Sequence, residues 1–341
     1  MSRKRVTMQD IADACGLSRN TVSKIFNDRG SVPEATRKLV LAAAQELGYH
    51  QHPDETTDAE SGKGNLAVLT QHKLLSHNFG AFFITSFTDQ ISRSGYTLKL
   101  YEVSPREIAE KKLPPHFNAK ETAGILGIEL FDRDYLEMIC SLNLPTVFVD
   151  GYAHAGESLM DCDCICMESF ASESRLVRHM IAAGARRIGF VGDREHCNSF
   201  YERWLGYRLA MEKADLPVDE ALCILDKDSD AYGDPAWLLK RLDAMPVLPD
   251  AFACANDYLA LHLMTALKKK GLSIPEDVMV TGFDGSVEAA VVTPTLTTAR
   301  IPSTDIGRMA ASLLSERIQA PELPYRWIYV KTTPIIGEST R

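Results

Sequence analysis

The 341-residue chain has no apolar run approaching the roughly 18 residues of a membrane helix, so its sequence gives no ground for a membrane partner. It opens Met-Ser-Arg-Lys-Arg and passes into a cappable polar segment, not into the apolar centre of a secretory signal, and a cytoplasmic location is expected. Its eight cysteines lack a framework spacing, which fits reduced thiols and argues against a disulfide scaffold. Also missing are a Gly-x-Gly-x-x-Gly after a strand, a Walker loop, a Gly-x-Ser-x-Gly elbow and a His-Glu-x-x-His helix. No cofactor and no catalytic residue are therefore expected, and an enzyme acting on sugars or nucleotides is kept only as the less favoured alternative.

Positive charge is scarce overall, with a net of −9, yet it is unevenly placed. Residues 1–50 carry eight basic against five acidic side chains, a net of +3, which leaves −12 for the remainder. A small basic head on an acidic body is the asymmetry expected when only the head meets a polyanion. The length exceeds what one core usually serves, so more than one domain is expected. Cys162, Cys164 and Cys166 form the one thiol cluster. On a strand, alternate residues lie ~6.6 Å apart along one face, awkward for thiolates converging on one zinc, so packing is favoured over a metal site.

Three short helices are predicted between Val6 and Tyr49. Thr7-Met-Gln-Asp10 has the form of a capping box, Ile11, Ala12 and Cys15 make an apolar stripe, and Gly16 suits the turn that stops the helix. Ser18 starts a second helix whose Val22, Ile25 and Phe26 face inward. Pro33 opens a third, with Leu39, Val40, Ala43 and Leu47 on its buried side. Two helices joined by a tight glycine turn and braced by a third describe a helix-turn-helix. In that geometry Arg19 and Asn20 suit base edges, and Lys24 a base or a phosphate. Ser18, Thr21, Ser23, Asn27 and Thr36 have the hydroxyl and amide groups that hold phosphates; with Thr7 they complete the candidate DNA-contacting set. Three-helix units also bind proteins, and polar helix residues are often merely solvated.

The run Val6-Thr7-x-x-Asp10-Ile11-Ala12, Gly16-Leu17-Ser18-x-x-Thr21-Val22-Ser23, Asn27, Val32-x-x-x-Thr36-Arg37, Ala43 and Leu47-Gly48-Tyr49 resembles the head of the lactose-repressor (LacI/GalR) family of bacterial transcription regulators. The resemblance implies that Arg19, Asn20 and Lys24 stand at base-reading positions. It breaks after Tyr49. Members of the family continue into a hinge helix whose leucine wedges into the minor groove, whereas here Gln51 replaces the expected proline and Asp58 takes the place of the wedge. Asp54, Glu55, Asp58 and Glu60 would be repelled by phosphates, so residues 51–63 are expected to be an atypical linker without the usual kinking action. A shifted hinge register is the alternative.

From residue 64 the texture changes to alternating strands and helices, read as 66–69, 96–101, 124–128 and 146–149 for a first set of strands. A second set is read at 187–191, 251–254 and 278–283. Helices are read at 82–94, up to 184, at 203–214 and at 257–270. This alternation implies two parallel-sheet α/β lobes, with ligands beyond the carboxyl ends of the strands. Asp150, Asn256 with Asp257, and Asp284 stand at those ends, and Arg203 near a helix start. Each alone is as well explained as a cap or a solvated loop residue; their recurrence at one end points to a cleft.

The body too resembles that family, whose core is similar to periplasmic binding proteins. The matching stretches are Pro145–Asp150, Gly184–Gly189, Arg203-x-x-Gly206-Tyr207, Ala255-Asn256-Asp257, Ile274-Pro275-Glu-Asp277-Val278, Gly282-Phe283-Asp284 and Pro294-x-Leu296-Thr297-Thr298. The expected fold is thus a three-helix head, residues 1–50, followed by a two-lobed α/β core, 64–341. Lobe 1 would hold about 64–163 and 296–323, and lobe 2 about 164–295 and 324–341. The resemblance implies Phe79, Asp150, Arg203, Asn256 and Asp284 as effector contacts. Trp204, Tyr232 or Trp237 are further rings able to stack on a sugar, and Glu168 stands near a position usually held by aspartate. It also implies a homodimer on a near-palindromic DNA operator, probed by a small carbohydrate effector that shifts DNA affinity. A ligand sensor with weakened DNA binding is the alternative that the linker supports.

Overall fold

The computed structural model describes residues 7–26, 33–47, 63–71, 78–157 and 159–341. The chain falls into two compact units, Met1–Ser61 and Gly62–Arg341.

In the first unit, α1 (Met8–Cys15), α2 (Arg19–Phe26) and α3 (Glu34–Leu47) enclose Met8, Ile11, Ala12, Val22, Ile25, Val40 and Ala44. The capping box is present: the Thr7 amide and hydroxyl both donate to Asp10 Oδ2 at 2.7 Å, and the Asp10 amide donates to Thr7 Oγ1 at 3.3 Å. Gly16 ends α1 at φ 66, a left-handed conformation that a side chain would strain. Leu39 and Leu47 depart from expectation, at 52% and 40% exposed. Val40 and Ala44 set the inward face of α3, one helical step away from the stripe read at Leu39.

The second unit holds two parallel sheets. The first set of elements is β1 (Asn65–Thr70), α4 (Asn78–Arg93), β2 (Thr97–Glu102), α5 (Pro105–Glu110), β3 (Thr122–Ile128), α6 (Arg133–Cys140), β4 (Thr146–Val149) and β5 (Asp163–Met167). The second is α7 (Phe170–Ala182), β6 (Ile188–Val191), α8 (Asn198–Lys213), α9 (Pro235–Asp243), β7 (Ala251–Cys254), α10 (Asp257–Lys269), β8 (Met279–Thr281) and α11 (Val287–Val291). The chain closes with β9 (Thr298–Arg300), α12 (Ser303–Gln319), β10 (Trp327–Val330) and β11 (Thr333–Ile335).

One sheet has the order β10-β5-β4-β3-β1-β2, the other β6-β7-β8, and β9 pairs antiparallel with β11. Strands such as Leu66–Leu69 and Ala251–Cys254 are apolar and buried along their length because helices cover both faces.

The crossings between the sheets correct the expected lobe limits. A boundary at 163/164 falls inside β5, which belongs wholly to the first sheet. Likewise Trp327–Val330, expected in the second lobe, pair with Cys164–Met167 in the first. The crossings lie just after these strands and are stitched together. The Glu168 amide donates to the Val330 carbonyl at 2.8 Å, and the Thr332 hydroxyl donates to the Glu168 carbonyl at 2.7 Å.

Helices α7 and α8 cross closely because Gly206 has no side chain: a Cβ there would collide with the Phe170 carbonyl and crowd Glu173. This close approach packs Glu173, on α7, against the helix that carries Arg203. The three clustered cysteines lie buried on and beside β5, with the Cys164 and Cys166 sulfurs 3.6 Å apart. The hydrogen bond with the Cys166 sulfur, and then burial, push the Cys164 thiol well up, so it packs as a weakly polar core side chain. Among the described residues no group of three or more His, Cys, Asp or Glu side chains is arranged to hold a metal ion.

Candidate functional site

The carboxyl ends of both sheets open on one cavity of about 1140 Å³. Asp150, Arg203, Asn256 and Asp284 all line it. Phe79 falls on α4, but its side chain lies outside the described residues.

Arg203 projects from α8, and its side chain is 2% exposed. Its Nη1 donates to the Ala255 carbonyl at 2.5 Å and stands 3.7 Å from Asp284 Oδ1, while the guanidinium lies 3.8 Å from the centre of the Phe283 ring. Its Nε is buried and has no hydrogen-bond partner. A buried donor left unsatisfied is costly, so this group has a stake in any acceptor that enters.

Asp284 follows β8 at φ 124, a conformation that costs a non-glycine residue on the order of 1–3 kcal/mol and that clusters at functional sites. Its side chain is 29% exposed, toward the cleft. Burial pushes its carboxyl up to about 8 against the pull of Arg203, with Asp257 and Glu129 adding to the rise. Asp257 accepts from the Thr298 hydroxyl at 2.6 Å and the Ser286 amide at 2.7 Å, which fixes the loop that carries Asp284.

Asp150 and Asn256 have structural duties as well. Asp150 sits at φ 63 after β4, and its Oδ1 accepts from the Gly151 amide at 2.9 Å and the Ser199 amide at 3.2 Å. One carboxylate from the first sheet thereby caps α8 of the second. Asn256 is the N-cap of α10, its Oδ1 accepting from the Leu259 amide at 2.9 Å. Both cap and cavity readings of these residues hold at once.

Several stacking candidates lie elsewhere. Trp204 is in the core, edge-on to Phe190 at 5.4 Å, and Trp237 packs on Tyr232 at 5.0 Å without lining the cavity. Tyr232 does line it, its hydroxyl held by the Asp226 carbonyl at 2.8 Å. Glu168 is absent from the lining and instead accepts from the Ala171 amide at 2.5 Å and the Ser172 amide at 3.2 Å, capping α7. The rings that do line the cleft include Phe131, Phe200 and Tyr258.

Behind the floor, Glu173 is fully buried and neither oxygen has a hydrogen-bond partner. Burial pushes its carboxyl up to about 8, opposed by the charge of Arg203.

In the head, Ser18 caps α2: its hydroxyl accepts from the Thr21 amide at 3.1 Å and lies 2.8 Å from Thr21 Oγ1. Arg19 follows as an exposed residue at the start of α2, and Thr36 is half-buried on α3. Asn20, Ser23 and Lys24 stand on α2 with side chains outside the described residues, as are all of Asn27 and the linker up to residue 62.

Residues 7–52 match the model of bacterial regulatory proteins of the lacI family, and residues 177–340 that of a periplasmic binding protein-like domain. The regulator CelR of Thermobifida fusca is 27% identical over 99% of both chains. The chain belongs to the LacI family.

Another LacI-family relative, the repressor PurR of Actinobacillus pleuropneumoniae serotype 3, is 28% identical over 94% of this chain and 93% of its own. Among solved structures, a CelR–cellobiose complex is 26% identical, covers 98% of this chain and 100% of its own, and has a TM-score of 0.71. A lac repressor dimer bound to operator and an anti-inducer shares the fold at 20% identity, with 99% coverage of each chain and a TM-score of 0.69. The relatives are transcription regulators, and this chain is a DNA-binding regulator of that family with an α/β core suited to a small ligand. Among the described residues no helix is long and apolar enough to cross a membrane.

Glu129, His196 and Arg300 also line the cavity and were not singled out from the sequence. Glu129 was findable, since it follows β3 as Asp150 follows β4, at φ 54. Arg300 sits on the short strand β9, whose TAR sequence carries no periodic signal.

Proposed function

We propose that this LacI-family chain is a cytoplasmic, non-enzymatic repressor that binds a near-palindromic operator as a homodimer and responds to a sugar or sugar derivative in the cleft. The observation that carries the effector reading is Arg203, buried, with an unpartnered Nε, beside a strained Asp284 in a cavity also lined by aromatic rings. Guanidinium, carboxyl and amide groups around a ring-lined pocket suit the hydroxyls and faces of a sugar. A relative's structure with cellobiose supports a disaccharide as one candidate.

Phe79, Asp150, Arg203, Asn256 and Asp284 are the proposed effector contacts. Arg19, Asn20 and Lys24 are the proposed base readers, with Thr7, Ser18, Thr21, Ser23, Asn27 and Thr36 holding phosphates. Ser18 Oγ accepts the Thr21 amide and shares one hydrogen bond with Thr21 Oγ1, which leaves one of the two hydroxyl protons for a phosphate oxygen.

A thermal-shift screen of sugars, repeated with Arg203→Ala, tests the cleft. A sugar that stabilises both chains equally would remove Arg203 from the site. Selection of bound fragments from genomic DNA tests the head, with enrichment of a palindromic site expected. Recovery of unselected fragments at moderate salt would instead favour a ligand sensor with weakened DNA binding, the reading that acidic Asp54, Glu55, Asp58 and Glu60 support.

A further inference from the structure

The cleft has an unusual balance of charge. Four carboxyl residues belong to its enclosed side: Asp150 and Asp257 are buried, Glu129 and Asp284 half-buried. Four more, Asp228, Asp230, Glu288 and Asp305, line it from the exposed side. Against them stand Arg203 and Arg300, and no lysine lines the cavity among the described residues. Two histidines also line it: His196 Nδ1 lies 3.4 Å from Asp228, and burial holds the His262 pKa down, which favours its neutral form.

Arg203 is not free to offset this balance. The Ala255 carbonyl already takes Nη1 and Phe283 covers one face, so its charge is partly engaged within the chain and is outnumbered by the four exposed carboxylates at the rim. The unpartnered Nε still calls for an acceptor, and a sugar hydroxyl supplies one without bringing charge. A phosphate or carboxylate would satisfy the same donor only by entering past the exposed carboxylates of Asp228, Asp230, Glu288 and Asp305.

We infer that the cleft filters its ligands by charge: it takes a carbohydrate without negative charge, gains affinity from a protonated amine on it, and turns away phosphorylated and carboxylated sugars. Asp228, Asp230, Glu288 and Asp305 are the residues that set this preference. Like charges lining a concave, partly desolvated site act together, because low-dielectric walls focus their field. The inference rests on the carbohydrate reading above and goes beyond it by naming the charge class.

The test is calorimetric titration of the full-length chain with glucose, maltose, cellobiose and trehalose, each beside its amino and 6-phosphate derivatives. The expected order within the set that binds is amine, then parent, then phosphate, with the phosphate at least about tenfold weaker than its parent. A chain carrying Asp228→Asn, Asp230→Asn, Glu288→Gln and Asp305→Asn, all at exposed positions, should raise the phosphate-to-parent affinity ratio by about tenfold, less at high salt.

A wild-type chain that binds a 6-phosphate as tightly as its parent overturns the filter and leaves the carbohydrate reading standing. An unchanged ratio in the fourfold variant removes those four residues as its cause. Failure of every carbohydrate to bind overturns both.

Discussion

Two buried arginine–aspartate pairs in this chain have opposite characters. Arg317 and Asp163 meet in parallel, Nε to Oδ2 at 2.8 Å and Nη2 to Oδ1 at 3.1 Å. The carbonyls of Pro321 and Pro324 and the Arg326 amide take the remaining positions. Arg203 and Asp284 approach only to 3.7 Å, on a strained backbone, with Nε unpartnered and the carboxyl pushed up to about 8. The first pair is complete and ties the segment after α12 to β5. The second is left incomplete at the lining of the cleft, where the proposed effector would complete it. Burial of charge is common to both; satisfaction of hydrogen bonds separates architecture from recognition.

The largest effect expected from breaking this contrast is at the complete pair. Asp163→Asn turns an amide toward Arg317 and leaves a buried guanidinium without its counter-charge. It should cost about 3–5 kcal/mol in urea unfolding. A loss below about 1 kcal/mol would place Asp163 among replaceable polar residues.

Arg203→Ala should weaken a sugar found in the screen by about a hundredfold in titration calorimetry, the scale of a lost charged hydrogen-bonding group.

Glu173 sharpens the comparison as a buried carboxyl with no hydrogen-bond partner at all. It holds its proton up to about 8 in the folded chain, whereas in the unfolded chain it ionises in the ordinary carboxylate range. Between those values the folded state binds more protons, so stability falls as pH rises through that window. Glu173→Gln should therefore unfold like wild type near the low end of the window and be more stable by roughly 1–3 kcal/mol at pH 8.5. Parallel stability–pH curves for the two chains would show that Glu173 is not the titrating group.

The smallest effect belongs to Asp284→Asn. At pH 6 a carboxyl raised to about 8 is already neutral, so the amide should change stability by less than about 0.5 kcal/mol while weakening sugar binding. A cost like that of Asp163→Asn would erase the distinction between the pairs.

Much of this architecture was legible in the residues. Apolar runs located the main strands, Thr7, Asp10 and Gly16 located α1, and the strand-end rule found four acidic or amide residues of one cavity, Asp150, Asn256, Asp257 and Asp284. Legibility failed where neighbours decide the outcome. Asp161 to Cys164 alternates Asp and Cys into the strand, so the stretch draws attention as a thiol cluster, and the charge of Asp163 makes sense only beside Arg317, 154 positions away. The same strand misplaced the lobe boundary. Trp204 carries every sign of a stacking residue, yet the twist of α8 turns it into the core while Arg203 faces the cavity. The charge balance of the cleft was hidden because its carboxylates come from loops and helix starts scattered between residues 129 and 305.

The cap on α8 has a mechanical corollary. The first turn of that helix is finished by the other half of the core: Asp150 Oδ1 accepts the Ser199 amide, and the Gly151 carbonyl accepts the Asn198 amide at 2.8 Å. Drawing the two halves apart at this edge strips the helix of both partners, each bond contributing on the order of 1 kcal/mol. The helix so frayed is the one that carries Arg203. The integrity of that helix end therefore depends on the two halves staying in register at this edge.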